Sequence, residues 1–253
     1  MPTTALRDKL FSRYYYSRPQ FVNGTAHFFS LMSLRIPIDS RILEIGAGPS
    51  NPTSEYLSGI GRVIGLDISE EVTRNRFVAE AHTYNGTLFP LPDGSIDACV
   101  SDYVLEHVAD PLTHFKEVAR VLRPGGVFCF RTVNLWHYIF MVSRLTPLWV
   151  HKMVALSSAS GRTEAYPTHY KANSLARLRW LQRIAGLDAV ELNSVEAEPS
   201  YASAVTFFPM MAYERLVNST SRLARFRAGI TGCFARPANI QRAASSTPTL
   251  ALN

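Results

Sequence analysis

The segment 42–57, ILEIGAGPSNPTSEYL, has the residue types of a ligand-binding turn. A β-branched run is followed by Gly46 and Gly48 and then by a helix-forming stretch. Glycine lets the backbone approach a ligand closely, and the helix that follows offers free N–H groups. The dinucleotide fingerprint G-x-G-x-x-G is incomplete, because Asn51 stands at its third glycine, and the absence of GK[ST] excludes a phosphate loop.

Asp67 stands 21 residues after Gly46, at the end of the next β-branched run, RVIGLDI. A carboxylate at this position can accept hydrogen bonds from both hydroxyl groups of a ribose. Asp67 could instead cap a helix, although Ser69 can fill that role equally well. Together with the glycine turn, Asp67 favours a cofactor that contains a nucleoside.

The elements that would position these residues alternate along the chain. From Arg41 onward, short β-branched runs alternate with longer amphipathic ones, which predicts a doubly wound α/β sheet. RPGG (123–126) is predicted to form a turn. The predicted strands are 41–45, 62–68, 95–102, 127–133, 188–195 and 229–235, and the predicted helices are 52–60, 70–81, 111–122 and 175–187.

EIGAGPS, the strand end at Asp67 and the segment LPDGSIDACVSDYVLEHVADPLTHFKEVARVLRPGGVFCF together resemble class I S-adenosylmethionine-dependent methyltransferases. They are most similar to the ubiquinone/menaquinone-type (type 11) group. The resemblance is strong over 40–134 and moderate over 170–195. It implies a Rossmann-like seven-stranded sheet with helices on both faces, an antiparallel last strand, and S-adenosyl-L-methionine as the cofactor.

The resemblance also implies a set of cofactor-binding residues. Glu44 and the glycine turn would hold the methionine part, and Asp67 would hold the ribose. The family's acid for the adenine amino group corresponds to Asn85, whose amide oxygen can accept the same hydrogen bond. Pro49 and Ser50 replace a common third glycine, which implies a stiffer loop. The implied set is Glu44, Gly46, Ala47, Gly48, Asp67, Ile68, Asn85, Gly86, Asp102 and Tyr103.

Methyl transfer from a sulfonium depends mainly on in-line positioning and desolvation, and needs a base only if the acceptor keeps its proton. Asp102, at a strand end, would lie beside the methyl group. His107, just beyond it, is the leading candidate for a base, since imidazole titrates near neutrality. His107 could instead hold the next loop by a hydrogen bond. Glu106 is expected to be structural, and His137 and His169 are weaker base candidates.

The formal net charge of +6 is unevenly distributed: +4 over 1–38, −5 over 39–136 and +7 over 137–253. A uniformly basic nucleic-acid binder would not show this pattern, so nucleic acid is not favoured as a partner. No apolar run reaches the ~18 residues of a membrane span, and the N-terminus lacks the apolar core of a signal peptide. The three cysteines have no zinc-site spacing and are expected to be buried thiols in a cytoplasmic protein.

The predicted organisation is an N-terminal helical lid (1–38), a methyltransferase domain (39–236) and a flexible tail (237–253). Aromatic and basic segments, 135–170 and 199–228, are inserted in the domain. Such segments suit contact with an anionic membrane, a lid over an apolar acceptor, or ordinary core helices with basic outer faces. The successive Tyr14, Tyr15 and Tyr16 cannot share one helix face, so at least one should point away from the core.

The sequence therefore predicts a methyltransferase that acts on a small-molecule or lipid-like acceptor, in the cytoplasm or peripheral to a membrane. Two alternatives stay open. A nicotinamide-dependent oxidoreductase would use the same glycine turn and Asp67. A non-catalytic binding module with a cofactor fold at a membrane surface is supported only by Asn85, in place of the usual acid. The sequence leaves the acceptor atom and the oligomeric state open.

Overall fold

The computed structural model describes residues 2–145, 167–199 and 202–238, and its centre is one seven-stranded sheet. The strand order is β3-β2-β1-β4-β5-β7-β6, and β7 is antiparallel to both of its neighbours while the other pairs are parallel. This topology confirms the predicted fold class. The strands are β1 Ser40–Ile45, β2 Gly61–Asp67, β3 Glu80–Thr83, β4 Ile96–Asp102, β5 Leu122–Val133, β6 Asp188–Val195 and β7 Gly229–Ala235.

Helices cover both faces of the sheet. The α-helices are α1 Pro2–Phe11, α2 Gly24–Arg35, α3 Pro52–Ser58, α4 Pro111–Val121, α5 Tyr138–Leu145, α6 Leu175–Ile184 and α7 Phe207–Ser219. Side chains that accept hydrogen bonds from the first turn begin four of these helices, which satisfies N–H groups that have no partner inside the helix. These caps are Asn23 on α2, Asn51 on α3, Asp110 on α4 and Ser174 on α6.

The two faces of the sheet carry separate hydrophobic cores. Neighbouring residues of a strand point to opposite faces. Thus Leu43 packs in the core beneath α4 and α6, whereas Ile42 packs in the core beneath α2 and α3. In β5, Phe128 packs in the same core as Leu43, and Cys129 packs in the same core as Ile42. Strands buried on both faces explain the continuous apolar runs in the sequence.

The predicted helix 70–81 is wrong. Residues Glu70–Arg74 form a short 3₁₀ turn, and β3 begins at Glu80. The side chain of Asn75 is buried and donates hydrogen bonds to the turn after β1, so the chain leaves the helical path there. Val72 and Val78 both pack closely over Gly65 in β2.

RPGG, predicted as a turn, lies inside a strand. β5 begins at Leu122 and is paired with Ile96 of β4 at that point. A register shift between Ile96 and Ala98 takes up the irregularity, and Gly125 has a positive φ of 81°. The prediction recognised the local bend and missed the strand that continues through it.

The proposed lid consists of α1, a π-helical turn over Ser12–Tyr16, and α2. Within the turn Tyr15 is buried and Tyr16 is 55% exposed, so the three tyrosines do not share a face. Phe11 and Tyr15 form a third core with Phe207 of α7, which joins the N-terminal segment to the predicted insertion 199–228. The division into lid, domain and tail stays a prediction, and residues 146–166, 200–201 and 239–253 lie outside the described residues.

All three cysteines are free and buried, as predicted. Cys129 and Cys233 face each other across β5 and β7, with their sulfur atoms 3.7 Å apart. Within the described ranges, no helix has the length and apolar character to cross a bilayer.

A stability test follows from the contact between β1 and β2. A Cβ atom on Gly61 would overlap the backbone carbonyl oxygen of Ser40, whereas a Cβ on Gly24 would meet nothing within 4 Å. Gly61→Ala should therefore lower the free energy of unfolding by about 1–3 kcal/mol, the usual cost of overpacking. Gly24→Ala is the matched control and should cause no loss. Urea unfolding measures both variants, and equal stabilities would contradict the packing of β1 on β2.

Candidate active site

The predicted cofactor residues gather at one edge of the sheet. Gly46 follows β1, Asp67 is the last residue of β2, and Asp102 is the last residue of β4. These three strands are parallel neighbours, so their carboxyl ends meet at the same edge. In open α/β sheets this is where ligands bind.

The turn after β1 requires its glycines. Gly46 and Gly48 have positive φ angles of 75° and 49°. A Cβ on Gly46 would overlap the side chain of Val104 in the loop after β4, so the turn approaches that loop closely. The N–H of Gly46 donates to the carbonyl oxygen of Leu66 at 2.7 Å, which fixes the turn against β2.

Two asparagine side chains hold the carbonyl groups of this turn. Asn51 caps α3 with its oxygen, and its nitrogen donates to the carbonyl oxygen of Ala47 at 2.7 Å. The buried Asn75 donates to the carbonyl oxygens of Ala47 and Gly48 at 3.3 Å and to the hydroxyl of Ser54 at 2.9 Å. Asn75 was not predicted as a site residue, because its partners stand far away in the sequence.

Asp67 joins the turn to the next strand. One carboxylate oxygen accepts the N–H of Gly48 at 2.8 Å, and the other accepts the N–H of Ser69 at 2.8 Å. Ser69 in turn caps the 3₁₀ turn that follows, so the capping role falls to Ser69, as the sequence suggested. Asp67 is half-buried, and its oxygens keep lone pairs for hydroxyl donors such as those of a ribose.

Glu44 places a buried acid beneath the turn. Its side chain is 2% exposed, and one carboxylate oxygen accepts the hydroxyl of Ser54 at 2.7 Å. Burial raises the pKa of Glu44 to about 7, and the negative charges of Asp102 and Asp67 contribute to the increase. A cation bound at this edge would favour the ionised form of Glu44.

Asp102 forms an ion pair with Arg131 of β5 that uses both carboxylate oxygens. The hydroxyl of Thr53 in α3 also donates to Asp102, at 2.7 Å. Arg131 reaches further to the hydroxyl of Thr25 in α2 at 3.0 Å. This arrangement favours a positioning role for Asp102 over proton abstraction. Its catalytic assignment stays a prediction, and Arg131 was missed because nothing in its local sequence marks it.

Tyr103 follows Asp102 in an unusual backbone conformation. Its φ is 54°, which non-glycine residues rarely adopt, and its N–H donates to the carbonyl oxygen of Arg131 at 3.0 Å. The guanidinium of Arg131 lies 4.8 Å from the centre of the Tyr103 ring, which is 45% exposed. Strained residues of this kind concentrate at functional sites.

The histidine candidates lie beyond β4 and β5. One ring nitrogen of His107 lies 3.0 Å from the carbonyl oxygen of Pro167, which matches the loop-holding alternative. The backbone N–H of His169 donates to the backbone oxygen of Glu106. His137 is buried and 3.8 Å from Glu196, and burial lowers its pKa to about 4.

Glu106 is buried and accepts the hydroxyl of Thr132 at 2.8 Å, while its backbone oxygen accepts the N–H groups of His169 and Tyr170. These bonds hold residues 169–170 against the end of β4. The contacts agree with the structural role expected of Glu106.

The residues predicted to meet an adenine lie further along the same edge. Ile68 is exposed and a Cβ on Gly86 would lie 3.9 Å from it, so these two positions are neighbours. The amide oxygen of Asn85 already accepts the N–H and the hydroxyl of Thr87, at 3.1 and 2.6 Å. Asn85 would therefore have to share this oxygen with an adenine amino group.

Comparison with known proteins identifies the part of the chain that carries this edge. Residues 43–130 match the family model described as a methyltransferase domain. A probable S-adenosylmethionine-dependent methyltransferase of Mycolicibacterium smegmatis is 38% identical over 112 residues, which cover 42% of each protein. A ubiquinone biosynthesis O-methyltransferase of Thiobacillus denitrificans is 27% identical over 172 residues, covering 63% of this chain and 69% of that protein.

A solved structure extends the likeness of the fold to most of the chain. It is a chain in the complex between the Haloferax volcanii Trm112 methyltransferase activator and a methyltransferase, with a TM-score of 0.57 and 21% identity. The match covers 91% of this chain and 94% of that one. By sequence, this chain spans only between 27% and 48% of the length of several curated relatives that it matches.

The burial of Glu44 predicts a specific pH dependence of stability. Between its ordinary pKa of 4.5 and the raised value of about 7, the folded chain holds a proton that the unfolded chain has released. The free energy of unfolding should therefore fall as pH rises through this window, by on the order of 2–3 kcal/mol from this group. Glu44→Gln keeps a partner for Ser54, removes the charge, and should abolish this component.

Urea unfolding at several pH values across that window measures the effect. Glu71→Gln, at an exposed carboxylate beyond β2, is the control for losing one negative charge. Parallel curves for the wild type and Glu44→Gln would contradict a raised pKa at Glu44.

Proposed function

We propose that this chain is a class I S-adenosylmethionine-dependent methyltransferase of the type 11 group and that it methylates a small-molecule or lipid-like acceptor. The observation that carries the proposal is the placement of Glu44 and Asp67 on either side of the Gly46–Gly48 turn. One carboxylate is buried beneath the turn, and the other is half-exposed beside it. This pairing suits a ligand with a cationic end and a ribose.

The chain's own residues would divide the work of holding the cofactor. Glu44 would face the cationic methionine end, with Asp102 reinforcing the negative potential. Asp67 would accept the ribose hydroxyls while its bond to Gly48 keeps the turn in shape. S-adenosylmethionine supplies a methyl group on a sulfonium, which is already an activated leaving group. Catalysis would then depend mainly on alignment and exclusion of water.

The acceptor would lie along the same edge, beyond β4. His107 and the neighbouring Pro167 border this region. A small aromatic or lipid-like acceptor is supported by the likeness to a ubiquinone biosynthesis O-methyltransferase, although that protein is only 27% identical. His107 would serve as the base for an acceptor that carries a proton to be removed.

The alternatives predict different binding. A nicotinamide-dependent oxidoreductase is not favoured, because the matching family model is a methyltransferase domain. Calorimetric titration with S-adenosylmethionine and with dinucleotides separates the alternatives. Binding of S-adenosylmethionine alone supports the proposal, and binding of neither ligand contradicts every enzyme assignment. Tight binding with no methyl transfer into any extract would instead favour a binding module.

Asp67→Ala should weaken S-adenosylmethionine binding by about 1–3 kcal/mol, roughly fivefold to 150-fold, through the loss of charge-assisted hydrogen bonds. Part of this loss would come from the N–H of Gly48, which loses its acceptor. Isothermal titration calorimetry measures the affinity, and Glu71→Ala is a control with the same loss of charge. Unchanged affinity in Asp67→Ala would show that Asp67 does not bind the cofactor.

His107→Gln distinguishes a base from a loop-holding residue. Glutamine can still donate to the carbonyl oxygen of Pro167 but cannot take a proton. If His107 is the base, kcat should fall by about 10²–10⁴ and the low-pH limb of the rate profile should disappear, with cofactor affinity unchanged. The assay follows labelled methyl transfer from S-adenosylmethionine into small-molecule and lipid extracts.

His82→Gln is the matched control, since His82 pairs with Glu80 in β3, away from the end of β4. An unaltered kcat and pH profile in His107→Gln would assign His107 to loop-holding alone.

A further inference from the structure

One surface of the protein combines exposed apolar side chains with arginine and lysine. It is formed by α1, the π-helical turn after it, and α7. We call it the aromatic–basic surface and define it by Lys9, Arg13, Tyr16, Arg18, Phe208 and Arg215. Tyr16 is 55% and Phe208 50% exposed, and all four cationic residues are exposed.

The spacing along α1 places its part of the surface on one side. Leu6, Lys9, Arg13 and Tyr16 recur every three or four residues and are all exposed, with Leu6 at 52%. The opposite side of the same segment is buried through Phe11. The exposed stripe thus has cationic side chains in its middle and an apolar side chain at each end, whereas a solvated helix face is usually purely polar.

Direct contacts make the stripe on α1 continuous with α7. The ring of Tyr14 lies 5.8 Å from that of Phe208, and the guanidinium of Arg13 lies 5.7 Å from the centre of the Tyr14 ring. Arg215 of α7 lies 5.9 Å from the ring of Tyr15. The exposed groups therefore sit on a packed aromatic layer that joins both helices.

The positive charge of this surface is poorly neutralised. Within the described ranges, Arg13 and Arg18 form no ion pair with a carboxylate, and each guanidinium lies against a tyrosine ring. Asp8 is the exposed acid of α1, and it is paired with Arg7 at 3.6 Å. Glu214 is buried, binds Tyr15 and is paired with Arg215 at 3.2 Å, and the negative charge of Glu198 acts on Tyr16. Among the residues that the structure describes, Lys9, Arg13 and Arg18 are therefore the cations of this surface without a carboxylate partner.

An open cleft lies next to the exposed Tyr16. Its volume is about 460 Å³, and it is lined by Arg18, Pro19, Gln20 and Phe21. The rings of Tyr16 and Phe21 lie 5.6 Å apart, which connects the cleft to the aromatic layer. Arg18 at the wall of this cleft can meet an anionic group such as a phosphate.

We propose that the aromatic–basic surface docks on a membrane that contains anionic phospholipids. Exposed Leu6, Tyr16 and Phe208 would enter the interface between headgroups and acyl chains, and the cationic residues would meet the phosphates. A nucleic acid would meet the same charge but would gain little from exposed leucine. This docking does not depend on methyl transfer, and the two can be tested separately.

Flotation with vesicles tests the proposal on the full chain without cofactor. The protein should float with vesicles of phosphatidylcholine and phosphatidylglycerol at low salt, and not with phosphatidylcholine alone. Raising the salt to roughly 0.5 M should release it, because screening weakens attraction between surface charges. Equal retention on neutral and anionic vesicles, or no retention on either, would overturn the proposal.

Two sets of variants locate the surface. Arg13→Glu with Arg18→Glu should reduce partitioning by about tenfold or more, since each basic residue near an anionic membrane contributes substantially. Tyr16→Ser with Leu6→Ser should reduce it without changing charge. The matched control is Arg179→Glu with Arg183→Glu on the exposed side of α6, which should leave flotation unchanged. If Arg179→Glu with Arg183→Glu reduces flotation while Arg13→Glu with Arg18→Glu does not, the protein docks through another surface and the proposal is overturned.

Two further measurements test other occupants of the surface, and a third checks that the variant is folded. Displacement from the vesicles by millimolar inorganic phosphate would assign the Arg18 cleft to a free phosphate compound. A dimer in light scattering that Tyr16→Ser with Leu6→Ser dissociates would assign the surface to a second copy of this chain. Both results would overturn the proposal. Calorimetry with S-adenosylmethionine should give the same affinity in Arg13→Glu with Arg18→Glu, which shows that the variant is folded.

Discussion

The arrangement of this edge depends on how the buried carbonyl groups of the turn after β1 find donors. Backbone groups that are withdrawn from water must be hydrogen-bonded, and this turn has no strand partner on its outer side. The amide nitrogens of Asn51 and Asn75 supply those bonds. Asn75 directly follows the short 3₁₀ segment after β2. The residue that holds the turn therefore stands where the predicted helix 70–81 ends early.

The same edge concentrates negative charge in a way that a folded protein tolerates only with compensation. Burial raises the pKa of Glu44 to about 7, although the hydrogen bond from the hydroxyl of Ser54 acts in the opposite direction. Asp102 is compensated differently, by the bidentate ion pair with Arg131. The carboxylate of Glu44 remains available to a cation, whereas that of Asp102 is already paired with Arg131. The excess of acids over 39–136 thus divides between residues that fix the fold and residues that can meet a cationic ligand.

Local sequence patterns predicted the sheet, because its strands are short, apolar and separated by amphipathic helices. The six strands read from the sequence are present, and β3 was missed because EAHT has no apolar run. For the site, glycines and Asp67 were identifiable because a sharp turn and a strand end leave local signals. Asn75 and Arg131 have none: Asn75 bonds to Ala47 and Arg131 to Asp102, partners 28 and 29 residues away. Only the folded structure reveals polar side chains whose partners are this distant.

Arg131 also gives the N-terminal segment a physical connection to the site. Its guanidinium binds Asp102 at the end of β4, donates to Thr25 at the start of α2, and lies 5.2 Å from the ring of Phe28. The first turn of α2 therefore contacts the site through this guanidinium, while Leu31 and Met32 hold the rest of α2 on the sheet by apolar packing. The carbonyl oxygen of Arg131 also accepts the N–H of Tyr103, so the start of α2 and the end of β4 are held by the same residue.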